Sequence, residues 1–129
     1  MSIKAGFNSK VANALAIASQ AVVYSNSFRM SFGESFGASF LATSASSVPD
    51  LKIELEQGDN PPTTEGSSDS NYVVADGVAP LYANLTVETT KRRAISPVPS
   101  AYGRYKITGG ASNPSDTVID IINFQQEMI

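Results

Sequence analysis

The sequence of 129 residues contains no cysteine, no histidine and no tryptophan. Without cysteine there is no disulfide staple, no thiolate nucleophile and no cysteine-based zinc or iron–sulfur site. Without histidine, the Ser-His-Asp arrangement, His-bearing metal sites and the usual general base near neutral pH are all missing. Charge is sparse as well: charged residues make up 16% of the chain, and the net charge is −3. A nucleic-acid binder needs a broad phosphate-neutralising surface, which this balance does not supply. No apolar run is long enough for a membrane-spanning helix. The expectation is therefore no enzyme, no cofactor, no metal, and neither nucleic acid nor membrane as a partner.

What is present fits one globular domain, with 42% hydrophobic residues and a length typical of a single core. The clearest segment is 51–57, where Leu51, Ile53 and Leu55 alternate with Lys52, Glu54 and Glu56. That period of two is the pattern of a half-buried strand, and a slip of one residue would bury a lysine and two carboxylates. Phe36, Ala38, Phe40 and Ala42 alternate in the same way, as do Phe28 and Met30 around Arg29, and Tyr105 and Ile107 between Arg104 and Lys106. Residues 117–124 read as the last strong strand; 72–74 and 85–87 read as shorter ones. Gly33 and Gly37 mark a turn, and 91–102, with Pro97 and Pro99, suits a sheet edge or a passage between sheets. Residues 58–71 are almost free of apolar side chains and form a long polar loop.

An internal echo adds an architecture. Phe40 to Thr43, a serine-rich link with Pro49, then Leu51 to Glu54 is repeated as Tyr105 to Thr108, a Gly/Ser link with Pro114, then Val118 to Ile121. About seven short strands at this spacing predict an all-β, antiparallel two-sheet sandwich of jelly-roll type.

The N-terminal 1–24 is ambiguous. Lys4 and Lys10 precede a mostly apolar stretch, as in a secretory signal, but Asn13, Ser19 and Gln20 interrupt it. Its alanines suit a short helix, whereas Val22, Val23 and Tyr24 suit a strand. The expectation is an extended segment packing on its own domain or on a neighbour. The chain is thus divided into an arm, 1–24, and a sandwich domain, 25–129.

Four constellations bear on chemistry. Glu54 and Glu56 share a strand face, as a glycosidase acid–base pair would, but with Lys52 on the same face they read as a solvated face. Asp59, Asn60, Glu65, Asp69 and Asn71 place oxygen donors on one loop without the spacing of a known calcium loop. Lys91, Arg92 and Arg93 form the one basic cluster, with Arg104 and Lys106 as expected neighbours, and would meet an acidic patch on a partner. The aromatic residues read as core rather than as a sugar- or base-stacking platform.

The stretch FGASFLATSASSVPDLKIELEQ within 35–57, the polar loop leading to NYVV, and ISPVPSAYGRYKITGGASNPSDTVIDI within 94–121 resemble a group of small tailed-bacteriophage virion proteins. The likeness covers about half the chain. Two features depart from it: Tyr72 stands where a tryptophan is usual, and 1–24 has no counterpart. The resemblance implies a non-enzymatic capsid decoration (cement) protein. Such a protein binds the major capsid protein as a homo-oligomer, a homotrimer by analogy, on the virion surface after assembly in the host cytoplasm. A tail, neck or baseplate component and a carbohydrate-binding module are the alternatives. The partner-binding candidates are Val11, Leu15, Ile17, Val22 and Tyr24 from the arm, with Lys91, Arg92 and Arg93.

Overall fold

A computed structural model describes residues 4–30, 35–97 and 99–128. The described residues form an all-β sandwich of two antiparallel sheets: β1 (Lys4–Ile17), β2 (Val22–Tyr24), β3 (Phe28–Arg29), β4 (Ser35–Thr43), β5 (Leu51–Gly58), β6 (Tyr82–Leu85), β7 (Lys91–Ala94), β8 (Tyr102–Gly109) and β9 (Thr117–Met128). One sheet runs β1-β9-β4-β7; the other runs β2-β8-β5-β6, with β3 also on β8. We call them sheet A and sheet B.

The pairing is nested. β1 lies on β9, β2 and β3 lie on β8, β4 lies on β7, and β5 lies on β6. The chain is thus one long hairpin whose tip is the connection between β5 and β6. Rolling that hairpin brings β9 against β4 and β8 against β5. This is the jelly-roll order, and it matches the expected fold class.

The two echoing segments are the crossovers β4 to β5 and β8 to β9, and they lie side by side. Gly110 N–H donates to the Asp50 carbonyl at 2.8 Å, and Asp50 N–H donates to Asn113 Oδ1 at 3.0 Å. Asn113 Nδ2 donates to the Ile17 carbonyl at 3.0 Å, and Thr117 Oγ1 donates to Asn113 Oδ1 at 3.0 Å. One buried amide therefore ties the end of β1 and the start of β9 to the residue before β5.

The core lies between the sheets. Leu51, Ile53 and Leu55 are buried in it, as are Phe40, Ala42, Ile107, Ile119 and Ile121. Phe40 meets Tyr105 edge-on at 5.3 Å and Tyr82 at 5.4 Å, so one ring from sheet A locks two from sheet B.

Residues 4–17 are the expected extended segment, packed on its own domain as an integral strand of the sandwich. They are extended and run along β9 as an edge strand of sheet A, and β2 joins sheet B. The alternation is hidden in the sequence because register shifts fall between Lys10 and Ala12 and between Ala12 and Leu15. Such bulges place neighbours Val11 and Ala12 both in the core and turn Ala14 to a φ of 48°. Ala14 N–H, freed from the ladder, donates to Asp120 Oδ1 at 2.7 Å. Smaller differences follow the same logic. The expected strand at 72–74 is a single bridge between Gln57 and Val73, and the one expected at 85–87 is β6, three residues earlier. Of the turn expected at Gly33 and Gly37, Gly37 lies inside β4 instead, paired with Ala94 and Phe124, and Gly33 lies outside the described residues.

Candidate functional site

The partner-binding candidates do not form one surface. Val11 and Ile17 are core residues, and Leu15 packs partly buried against that core, so none of the three offers a free side chain. This corrects their assignment to a partner, because the bulged edge strand spends them on its own domain. Val22 is 47% exposed on β2, at one edge of sheet B. Lys91 and Arg92 are exposed on β7, at the far edge of sheet A. Arg93 turns back over the Tyr82 ring at 5.4 Å and donates from Nη1 to the Leu81 carbonyl.

Tyr24 belongs to a different assembly, built around Arg104. That arginine is fully buried, which corrects its expected place beside the basic cluster. Its guanidinium carbon lies 3.9 Å from the Tyr24 ring centre and 4.8 Å from that of Tyr72. Nε donates to Glu56 Oε1 at 2.9 Å, and Nη1 donates to the Ser67 carbonyl at 2.6 Å. Glu56 is therefore a buried ion-pair partner instead of a solvated carboxylate.

The cause is the polar loop after β5, which folds back over the outward face of sheet B. Gln57 and Val73 exchange backbone hydrogen bonds at 2.8 and 3.1 Å. Tyr72 lies against Gly58, where an added Cβ would come within 2.8 Å of the ring, so only glycine permits the contact. The alternation of β5 stops there: Leu55 through Gly58 are buried without a break.

Two of the loop's carboxylates, Asp69 and Glu65, are occupied by its own backbone and a neighbour. Asp69 accepts from Asn71 N–H at 2.9 Å and Thr63 N–H at 3.1 Å, and these hydrogen bonds hold its carboxyl below the usual range. Glu65 accepts from Ser27 N–H at 3.0 and 3.2 Å and from the Ser27 hydroxyl. Among the described residues, no group of three or more acidic side chains gathers to hold a metal. Nor do Glu54 and Glu56 make an acid–base pair, since the first lies 3.6 Å from Lys52 Nζ and the second belongs to Arg104.

Among the depressions of the described surface are two on opposite sides of β7. One, about 330 Å³, opens beside Leu55, Val78, Pro80, Leu81 and Ile95, with Arg93 as its cationic group. The other, about 680 Å³, lies on the outward face of sheet A against Ser39, Arg92, Ile122 and Phe124. Neither is lined by a carboxylate.

The second depression departs from ordinary strand chemistry. Ile122 and Phe124 are 39% and 42% exposed, while their neighbours Asn123 and Gln125 are 1% and 2% exposed. Burying such an apolar side chain would contribute about 1.5–3 kcal/mol. Asn123 and Gln125 are tolerated inside because Tyr105 OH donates to Asn123 Oδ1 at 2.7 Å and Gln125 Nε2 donates to the Arg29 carbonyl at 3.1 Å. The sequence signal was available in the alternation of 117–125, where apolar and polar positions exchange faces after Ile121.

Fold and surfaces together define a jelly-roll sandwich whose outer face on sheet B is partly covered by the polar loop and whose outer face on sheet A exposes Ile122 and Phe124 among polar and charged neighbours. The chain matches no protein-family model, no curated protein and no solved structure.

Proposed function

We propose that the chain is a non-enzymatic structural protein of a tailed-phage particle, a decoration protein that binds the major capsid protein shell as a homo-oligomer. The observation that carries this reading is where the resembling segments fall. Residues 35–57 and 94–121 supply β4, β5, β8 and the first five residues of β9, so the likeness follows the central strands of both sheets and their two crossovers. Jelly rolls serve as viral coat domains and also as lectins, so the architecture alone does not choose between them.

Side-chain chemistry favours the structural role over glycan binding. Phe28, Phe40 and Tyr105 are buried, and Tyr24 and Tyr72 flank Arg104, which leaves these rings no open stacking platform. The exposed Lys91 and Arg92 on an edge strand suit an acidic surface on the shell.

Co-sedimentation tests the reading. Purified protein is mixed with particles of the phage to which the proposal assigns the chain, assembled without it. Binding in proportion to shell subunits is expected; failure to sediment with the particles contradicts the proposal. Retention on a glycan array instead would move the chain to the carbohydrate-binding class.

A further inference from the structure

We infer that the free edge of β7 is a docking strand, to which an extended acidic segment of another protein adds as a further strand of sheet A. The inference deepens the proposed function by naming how a partner is held, and it rests on that reading for the existence of a protein partner.

The backbone of β7 points the way. The strand ends the order of sheet A and pairs with β4, Lys91 lying opposite Phe40 and Ala94 opposite Gly37. Ile95 N–H, just beyond it, donates to the Phe36 carbonyl at 2.9 Å. An antiparallel ladder alternates, so Ile95, Arg93 and Lys91 turn their backbone groups to β4, and Arg92 and Ala94 turn theirs away. Gly37 agrees with this, because an added Cβ there would lie 2.8 Å from the Arg93 carbonyl oxygen, on the β4 side. The N–H and carbonyl groups of Arg92 and Ala94 therefore face outward, the arrangement that strand addition uses.

Charge selects the occupant. The chain is acidic, with a net charge of −3, yet Lys91, Arg92 and Arg93 stand together on this edge. Lys10, Lys52 and Arg104 have carboxylate partners, whereas none of the three cations on β7 is in an ion pair among the described residues. Arg93 lies over Tyr82 and donates to the Leu81 carbonyl, which leaves the exposed Lys91 and Arg92 to meet a partner. A strand added here sets one residue beside Lys91 and the next beside Arg92, where cross-strand carboxylates are favourable and cations unfavourable. The cations that guard the edge against indiscriminate pairing thus admit an acidic strand. A second copy of β7 would set cation against cation. The other edge strands, β1, β2, β3 and β6, contain no Asp or Glu, so the acidic strand comes from a different protein.

The depressions on either side of β7 shape the rest of the segment. Ile95 shares its parity with Lys91 and Arg93, so a residue added opposite it faces the depression beside Leu55, Val78, Pro80 and Leu81. A residue opposite Ala94 lies on the outward face of sheet A, beside Gly37 and toward Phe124 in the larger depression. Backbone hydrogen bonds supply affinity in such a contact, and alternate side chains supply specificity. The segment recognised is therefore extended, with apolar residues at one end and adjacent acidic residues at the other.

Fluorescence anisotropy with labelled peptides and the full chain tests this, with circular dichroism and thermal unfolding as fold checks. The first peptide is a run of valine and threonine followed by two adjacent glutamates. A second has glutamines in place of the glutamates, and a third keeps the glutamates but is N-methylated throughout. The acidic peptide is expected to bind, and the other two at least about tenfold more weakly. Ala94→Pro removes an outward N–H without touching the β4 ladder, a place where an edge strand tolerates proline. It is expected to weaken binding about tenfold with the fold intact; should it unfold, the methylated peptide still decides. Lys91→Glu with Arg92→Glu is expected to reject the acidic peptide and accept its lysine counterpart. No binding of the acidic peptide at millimolar concentration, or equal binding of the glutamine peptide, would overturn the inference. Binding that ignores both N-methylation and Ala94→Pro would overturn strand addition, and wild-type self-association lost in Ala94→Pro would make the occupant a second copy. A chain that takes the peptide but fails to sediment with phage particles would lose the proposed function and keep this inference; the reverse result would do the opposite.

Discussion

The Tyr105 hydroxyl donates to Asn123 Oδ1 at 2.7 Å in the middle of the sandwich, joining β8 of sheet B to β9 of sheet A. Both groups are buried, and Asn123 Nδ2 finds no hydrogen-bond partner among the described residues. This bond makes the polar interior of β9 tolerable and so allows Ile122 and Phe124 to face outward. Tyr105→Phe leaves the amide oxygen unpaired as well and is expected to cost about 1–3 kcal/mol in a denaturant titration. Adding Asn123→Leu removes the stranded amide and is expected to recover most of that loss. A double variant less stable than Tyr105→Phe would contradict this account of the pair.

The same tyrosine sets an alkaline limit on stability. Burial pushes its phenol far above its ordinary pKa of 10.0, and burial raises Tyr72 and Tyr82 in the same direction. The folded state then holds protons that the unfolded chain gives up. Stability is complete below pH 10 and falls above it, by about 1.4 kcal/mol per pH unit for each fully buried tyrosine. Unfolding free energies measured between pH 8 and 11.5 check this, and Tyr105→Phe is expected to flatten the slope.

Arg104 anchors the loop after β5. Replacing it with methionine leaves Glu56 buried without its ion pair and is expected to cost about 3–5 kcal/mol. Arg104→Lys is not expected to rescue, because a lysine cannot present a planar group between the Tyr24 and Tyr72 rings. In either variant the segment 59–71 should become the first site of limited proteolysis, as seen by mass spectrometry of the fragments. Cleavage elsewhere with that loop still protected would contradict the anchoring role.

Strand β5 offers a test of face assignment. Ile53 is fully buried, so Ile53→Asp is expected to destabilise by several kcal/mol through an unpaired buried charge. Glu54 points away from the core toward Lys52, and Glu54→Gln is expected to stay within about 0.5 kcal/mol. Equal effects in a denaturant titration would mean the face is misassigned.

Where strands alternate cleanly, the sequence was enough. Leu51, Ile53 and Leu55, the series from Phe36 to Ala42, and the echo between the two crossovers led to the sandwich and its jelly-roll order. It was not enough where local pattern and tertiary context diverge. The bulges around Val11 and Ala14 broke the period of β1, so a strand read as an arm. Glu56 and Arg104 carry the signature of a solvated face, and only the folded-back loop buries them. The exposed pair Ile122 and Phe124 was visible as an exchange of phase, but a strong apolar strand invites the assumption that all of it is core.

Quantitative mass spectrometry of purified particles of the phage to which the proposal assigns the chain addresses the proposed function most directly. A decoration protein of the shell is expected in copy numbers comparable to those of the major capsid protein. A ring-sized count of about a dozen or fewer would place the chain in the tail or neck, and its absence from the particle would contradict the structural role altogether.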